Sequence, residues 1–150
     1  MNRPYQRKGS KSNTDVGNTF EEKVKIFFES QEGIKLTRRV AVDIGIRSSK
    51  LHKFDLGNLQ KNILIECKSH KWTESGYVPS CKIIAWDQAM FYFYLLSSDY
   101  RKIFCVLRDY SEKRDVTLGQ YYIRTKHHLI PPDVEIWEFD EEKEVAKRIK

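Results

Sequence analysis

The sequence predicts one α/β domain with a central mixed β-sheet flanked by helices, in the order helix, three strands, helix, strand, with a further strand and helix added at the C-terminus. Three observations carry this expectation. Two segments repeat apolar residues at helical spacing, and between them lie stretches that alternate with the period of a strand. A later run, RKIFCVLR, is apolar throughout with charged ends, as a strand covered on both faces would be. The length, 150 residues, suffices for one core without disulfides, and no internal repeat divides it.

The elements follow in order. Residues 1–13, MNRPYQRKGSKSN, set Arg3, Arg7, Lys8 and Lys11 among Gly, Ser and Asn. They read as a basic arm suited to phosphates, ahead of a single domain over 14–150, and no apolar signal-peptide core follows them. Phe20, Val24, Phe27 and Phe28 place a helix over 16–31, with Asp15 or Asn18 as its cap and Gly33 past its end. Over 36–47, Val40, Val42, Ile44 and Ile46 form one buried strand face, while Arg39, Ala41, Asp43 and Gly45 form the other. Strands over 50–57 and 62–69 are joined by NLQK as a hairpin. Residues 70–81, with Gly76 and Pro79, form a loop, and Ser80 caps a helix over 82–97 whose apolar residues wrap most of its circumference, so a buried helix is expected. After the strand at 101–108 come a strand at 120–124 (QYYIR), a break at Pro131-Pro132, a strand at 134–139 and a short charged C-terminal helix.

Charge and cysteine usage narrow the partners. Lys and Arg number 27 against 21 Asp and Glu, a formal net charge of +6, which favours a polyanion. Cys67, Cys81 and Cys105 are odd in number and lack metal-ligand spacing, so a reducing, cytoplasmic setting is expected. The most apolar stretch, IIAWDQAMFYFYLL, is interrupted by Asp87 and Gln88 and is too short to span a bilayer. A soluble protein without a membrane partner follows.

The chemistry concentrates in ILIECKSH, residues 63–70. Strand alternation puts Ile63, Ile65 and Cys67 on one face and Glu66 and Lys68 on the other. The hairpin brings Asp55 of the preceding strand alongside Glu66, with Phe54 and Leu56 facing away from it. Two carboxylates this close repel each other unless a cation shares the site, and oxygen ligands suit Mg²⁺. Lys68 beside such a cation could orient an attacking water or stabilise charge on phosphorus. Acid-x-Lys also occurs at Glu21/Lys23 and Glu141/Lys143, so the tripeptide alone is equally an ordinary ion pair. Asp43 competes with Asp55 as ligand.

Asp55 followed, ten residues on, by Glu66-Cys67-Lys68 resembles the signature of the PD-(D/E)XK nuclease superfamily, the restriction-endonuclease-like fold, as does the element order. Gly17-Asn18-Thr19-Phe20-Glu21 is similar to that superfamily's G-x-x-x-E element, and Gln88-Ala89-Met90-Phe91-Tyr92 to its Q-x-x-x-Y element. Phe54 stands where a Pro is usual. The resemblance spans about residues 16–108 and implies a site of Asp55, Glu66, Lys68, Glu21 and Gln88, with Glu22 the rival of Glu21. It implies Mg²⁺, replaceable by Mn²⁺, held by Asp55, Glu66 and the Cys67 backbone carbonyl. The activity implied is hydrolysis of double-stranded DNA to 5′-phosphate and 3′-hydroxyl ends. Short length and a basic arm are similar to an intron-encoded homing endonuclease, a restriction enzyme or a Holliday-junction resolvase. One site per chain suggests a symmetric dimer or tetramer.

Outside the signature, His70 and Lys71 are candidates for phosphate contact, as are Arg124 and Lys126 among Tyr121, Tyr122, His127 and His128. His52 and the other three histidines have no metal-ligand spacing, which argues against a His-metal nuclease. Trp86, Phe91, Phe93 and Tyr94 read as core. A non-catalytic DNA-binding domain and a purely structural ion pair are the competing readings.

Overall fold

The structure is a computed structural model that describes residues 13–150. The basic-arm residues Arg3, Arg7, Lys8 and Lys11 lie outside the described residues. Helix α1, Asn13–Glu32, opens three residues before the expected start and buries Phe20, Val24 and Phe28, spaced four apart along one face. Gly33 ends it in the left-handed region, at φ 64°, its N–H bonded to the Glu29 carbonyl at 3.0 Å.

Three strands follow in the expected order, β1 (Thr37–Ile44), β2 (Lys50–Asn58) and β3 (Ile63–Lys68), each antiparallel to the one before; β1 stops at Ile44, so Ile46, expected on its buried face, lies exposed in the turn beyond it. Helix α2, Ser80–Leu95, carries the chain across to β4, Arg101–Leu107, which pairs parallel to β3. A small hairpin, β5 (Tyr110–Ser111) and β6 (Val116–Thr117), leads into helix α3, Leu118–Lys126. β7, Val134–Asp140, pairs parallel to β4, and β8, Val145–Arg148, closes the edge antiparallel to β7. The six-stranded sheet thus runs β1-β2-β3-β4-β7-β8 and is mixed.

Two apolar layers enclose this sheet. Under α1 lie Phe20, Val24, Phe28, Leu56, Ile65, Cys67, Cys105 and Phe139. On the opposite face α2 and α3 cover Phe54, Leu64, Trp86, Phe93, Phe104 and Tyr122. Burying a side chain of this size stabilises the fold by about 1.5–3 kcal/mol, so both layers are needed to offset the ordering of the chain.

Three expectations fail for physical reasons. QYYIR is helical: Thr117 Oγ1 accepts from the Gln120 N–H and Gln120 Oε1 accepts from the Thr117 N–H, a capping box that starts α3, and Leu118 and Tyr122 are buried four residues apart. The charged C-terminus is a strand, because Asp140 Oδ1 accepts the N–H groups of Glu142 and Lys143 and Glu144 adopts φ 53°, which turns the chain back onto β7. Finally, α2 is buried on one side only: Ile83, Trp86, Ala89, Met90 and Phe93 are covered, whereas Ile84, Phe91 and Tyr94 are exposed, and Pro79 rather than Ser80 is its N-cap. Among the described residues no helix is long and apolar enough to cross a membrane.

Candidate active site

The β2–β3 ladder runs from Asn58↔Ile63 to Leu56↔Ile65 and stops. Both β1 and β2 change face at this point. Arg38 reaches α1 while Val40, two residues on, packs under α2, and the residue between them, Arg39, has φ 54°. On β2, opposite, Phe54 belongs to the α2 layer and Leu56 to the α1 layer. Alternation would have put them together, as the sequence suggested. The break re-aims Asp55 into the gap between β2 and β3, a use that irregular strand positions often serve beside active sites.

Carboxylates take over where the ladder ends. Glu66 Oε2 accepts the Asp55 N–H at 3.1 Å, and Asp55 Oδ2 accepts the Cys67 N–H at 2.7 Å. In an extended strand a residue's N–H and C=O point to the same side, so the Cys67 carbonyl faces this gap too. The Cys67 thiol faces the α1 layer, and burial pushes its pKa well up, which leaves the backbone oxygen as that residue's donor.

Glu66 is only 5% exposed. Burial and the neighbouring Glu66 push Asp55 up from its ordinary 3.8 to about 8, with Glu21 adding to the rise. The Cys67 N–H bond and Lys68 oppose that shift without overcoming it. Lys68 is half-buried and makes no hydrogen bond or ion pair with a described residue. The pair is therefore short of positive charge in its own fold.

Glu21 stands beside the pair on α1, where it bonds Arg38 at 2.7 Å, and Asn18 Oδ1 accepts from the same guanidinium at 3.0 Å. Glu21 rather than Glu22 makes this contact. Asp43 is exposed and opposite Leu51, four residues along β2 from Asp55 or about 13 Å at strand rise, so it is remote from Glu66. Gln88 is exposed and touches none of the carboxylates; it lies one helical turn before Tyr92, whose ring packs on His52 with centroids 4.0 Å apart.

His52 is the residue that spacing rules overlooked. Its Nε2 is buried without a hydrogen-bond partner and lies 3.5 Å from Glu66 Oε1, while Phe54 and Tyr92 hold the ring from two sides. The available signal was its period-two relation to Phe54 on a strand bound for the core. No spacing signal marked Arg38.

The proposed phosphate contacts fare unevenly. His70 Nδ1 accepts the Trp86 indole N–H at 2.8 Å, and because an indole can only donate, that nitrogen is unprotonated and turned inward. Lys71 lines a cavity with Arg108 and four carboxylates, Asp109, Asp140, Glu141 and Glu142, so it is no part of a basic surface. Lys126 is paired with Asp87 at 3.3 Å, and Arg124 lies over the Tyr121 ring on the helix expected to be a strand.

Among the described residues no group of three or more His, Cys, Asp or Glu is placed to hold a metal ion. The two carboxylates and the backbone carbonyl at this gap are hard oxygen donors, of the type that Mg²⁺ accepts alongside water and phosphate. Comparison with protein-family models, curated proteins and solved structures finds no match to the chain.

Proposed function

We propose that the chain is a divalent-metal-dependent endonuclease of the PD-(D/E)XK type that hydrolyses double-stranded DNA, serving as a site-specific homing endonuclease. The observation that carries this reading is the interlocked Asp55–Glu66 pair at the open end of the β2–β3 ladder, with a carboxyl held up near pH 8 and no described cation bonded to it. Asp55, Glu66 and the Cys67 carbonyl would hold Mg²⁺ or Mn²⁺, which when bound polarises the scissile phosphate and lowers the pKa of water. Lys68, on the Glu66 face of β3 and otherwise unbonded, orients the attacking water and meets the charge that develops on phosphorus. Glu21 and Arg38 fix α1 against the gap, and on its other side Tyr92 packs on His52, one helical turn beyond the exposed Gln88. Restriction and junction-resolving roles use the same chemistry.

A non-catalytic DNA-binding domain is the second reading, favoured by the backbone bonds that both carboxylates already make. Incubation with plasmid and genomic DNA in Mg²⁺, and in Ca²⁺ as a non-supporting control, separates the two. Cleavage in Mg²⁺ that Lys68→Ala and Glu66→Gln each reduce by at least 10²-fold is expected, the scale on which removal of one transition-state interaction is felt. Full activity in Lys68→Ala, or none in the parent on any DNA, rejects the enzyme.

A further inference from the structure

The β1–β2 hairpin extends past Arg39 and Asp55 as a two-stranded ribbon, paired from Val40↔Phe54 to Ile44↔Lys50. One face is anchored, since Val40, Ile44 and Phe54 are buried under the α2 layer. The other face and the tip are open: Arg39, Ala41, Asp43, Ile46, Arg47, Lys50, Leu51 and Lys53 are all exposed. Among the titratable groups of that open surface, four are cations and one, Asp43, is a carboxylate. None of the four cations makes a hydrogen bond or ion pair with a described residue. The turn at the tip requires glycine at 45, because a Cβ there would sit 1.8 Å from the Ser48 carbonyl oxygen.

We infer that this ribbon is the element that enters the major groove of the DNA duplex, with Arg39, Arg47, Lys50 and Lys53 on the flanking phosphates. The inference rests on the endonuclease reading for its partner. Shape supports it: the major groove admits a two-stranded ribbon and is about 8.5 Å deep, and the five residue pairs of the ribbon, four steps at strand rise, extend about 13 Å. Position supports it as well. Arg39 stands across the β1–β2 pair from Asp55, so a backbone seated along the ribbon continues toward the carboxylate gap. The other cations expected to meet phosphate, Lys71 and Lys126, are bonded to or surrounded by carboxylates, whereas these four are uncompensated.

The test measures binding of the full chain in Ca²⁺ to a mixed-sequence DNA duplex across a salt series. A parent slope of log affinity against log salt that is clearly negative is expected. The variant Arg39→Gln/Arg47→Gln/Lys50→Gln/Lys53→Gln should flatten it by about 0.9 for each phosphate no longer neutralised, so by roughly 3 to 4 in all. Lys143→Gln/Lys147→Gln on the far edge of the sheet should leave it unchanged. Because the four cations have no partners in the fold, thermal melting of the variant should match the parent. A parent that binds steeply with an unaltered slope in the quadruple variant overturns the ribbon while leaving the endonuclease reading intact. A parent with no salt-dependent binding overturns both. Tighter binding to an RNA duplex of the same length also overturns the ribbon, since the A-form major groove is too narrow to admit it.

Discussion

The two carboxylates that meet where β2 and β3 part are explained by what they bond. Asp55 and Glu66 each satisfy a backbone N–H that the broken ladder leaves open, and this keeps both carboxylates within one gap. The titration of the metal-free chain should show it. Asp55 keeps its proton to about pH 8 when folded but ionises near 3.8 when unfolded. The folded state therefore holds the extra proton between those values, and the linked stability, complete below about pH 4, is lost as pH rises toward 8. In chelator, Asp55→Asn should remove that part of the pH slope and melt above the parent at pH 8, and adding Mg²⁺ should raise the parent alone. Identical melting curves for the two proteins from pH 4 to 9 would count against the buried pair. His52 gives a second test at this scale. Its Nε2 is positioned to steady Glu66 Oε1, so His52→Ala should weaken Mn²⁺ binding, followed by calorimetry without DNA, by about tenfold, the lower end for an outer-shell partner. His52→Gln, which retains a donor, should recover most of it; equal binding by all three proteins would make His52 mere packing. The meeting of Asp55 and Glu66 was legible because a short turn sets β2 against β3, whereas the face change between Phe54 and Leu56 that turns Asp55 into the gap was not. His52 and Arg38 were not, since their partners come from the face change at Arg39, and a left-handed residue other than Gly leaves no mark in the sequence.

At the scale of elements, legibility followed the physics that dominates each segment. Strands β1 to β4 and both long helices announce themselves by their apolar residues, although those of α2 do not mark which of its sides is covered. The segments after β4 are governed by side-chain bonds to turns and caps. The Thr117–Gln120 capping box was present as a T-x-x-Q pattern, yet the aromatic pair Tyr121-Tyr122 pointed to a strand, and the cap prevailed because it satisfies two N–H groups at once. Thr117→Ala should therefore destabilise the protein by about 1 kcal/mol, a drop of about 2–4 °C in Tm for a chain of this length. Thr117→Ser, which keeps the oxygen, should recover most of it. An unchanged Tm in Thr117→Ala would mean that burial of Leu118 and Tyr122 alone holds α3. Glycine at 57 links element to site in the same way: a Cβ there would meet the Ile63 carbonyl oxygen at 2.8 Å and Leu64 Cδ2 at 2.9 Å, just where β2 and β3 run together before the gap.

At the scale of the whole molecule, the described residues of one chain hold one such carboxylate gap, and on the endonuclease reading its substrate, a duplex, has two strands of opposite polarity. Hydrolysing both therefore takes two gaps related by a two-fold axis, or one chain that dissociates and returns. The two routes differ in how they respond to concentration. If two chains act together, linear product from a supercoiled plasmid should rise more steeply than first order in protein, and nicked circles should accumulate only when protein is scarce relative to DNA. Addition of Lys68→Ala chains in excess should then convert the product from linear to nicked, because a mixed pair cuts one strand. A chain acting alone would instead pass every molecule through the nicked form at all concentrations, and the inactive variant would merely compete in proportion to its share. The exposed side of α2, with Ile84, Phe91 and Tyr94 uncovered, shows that the described chain has apolar surface its own fold does not use. First-order kinetics throughout, with nicked circles always preceding linear ones, would rule out a paired enzyme and leave the sites independent.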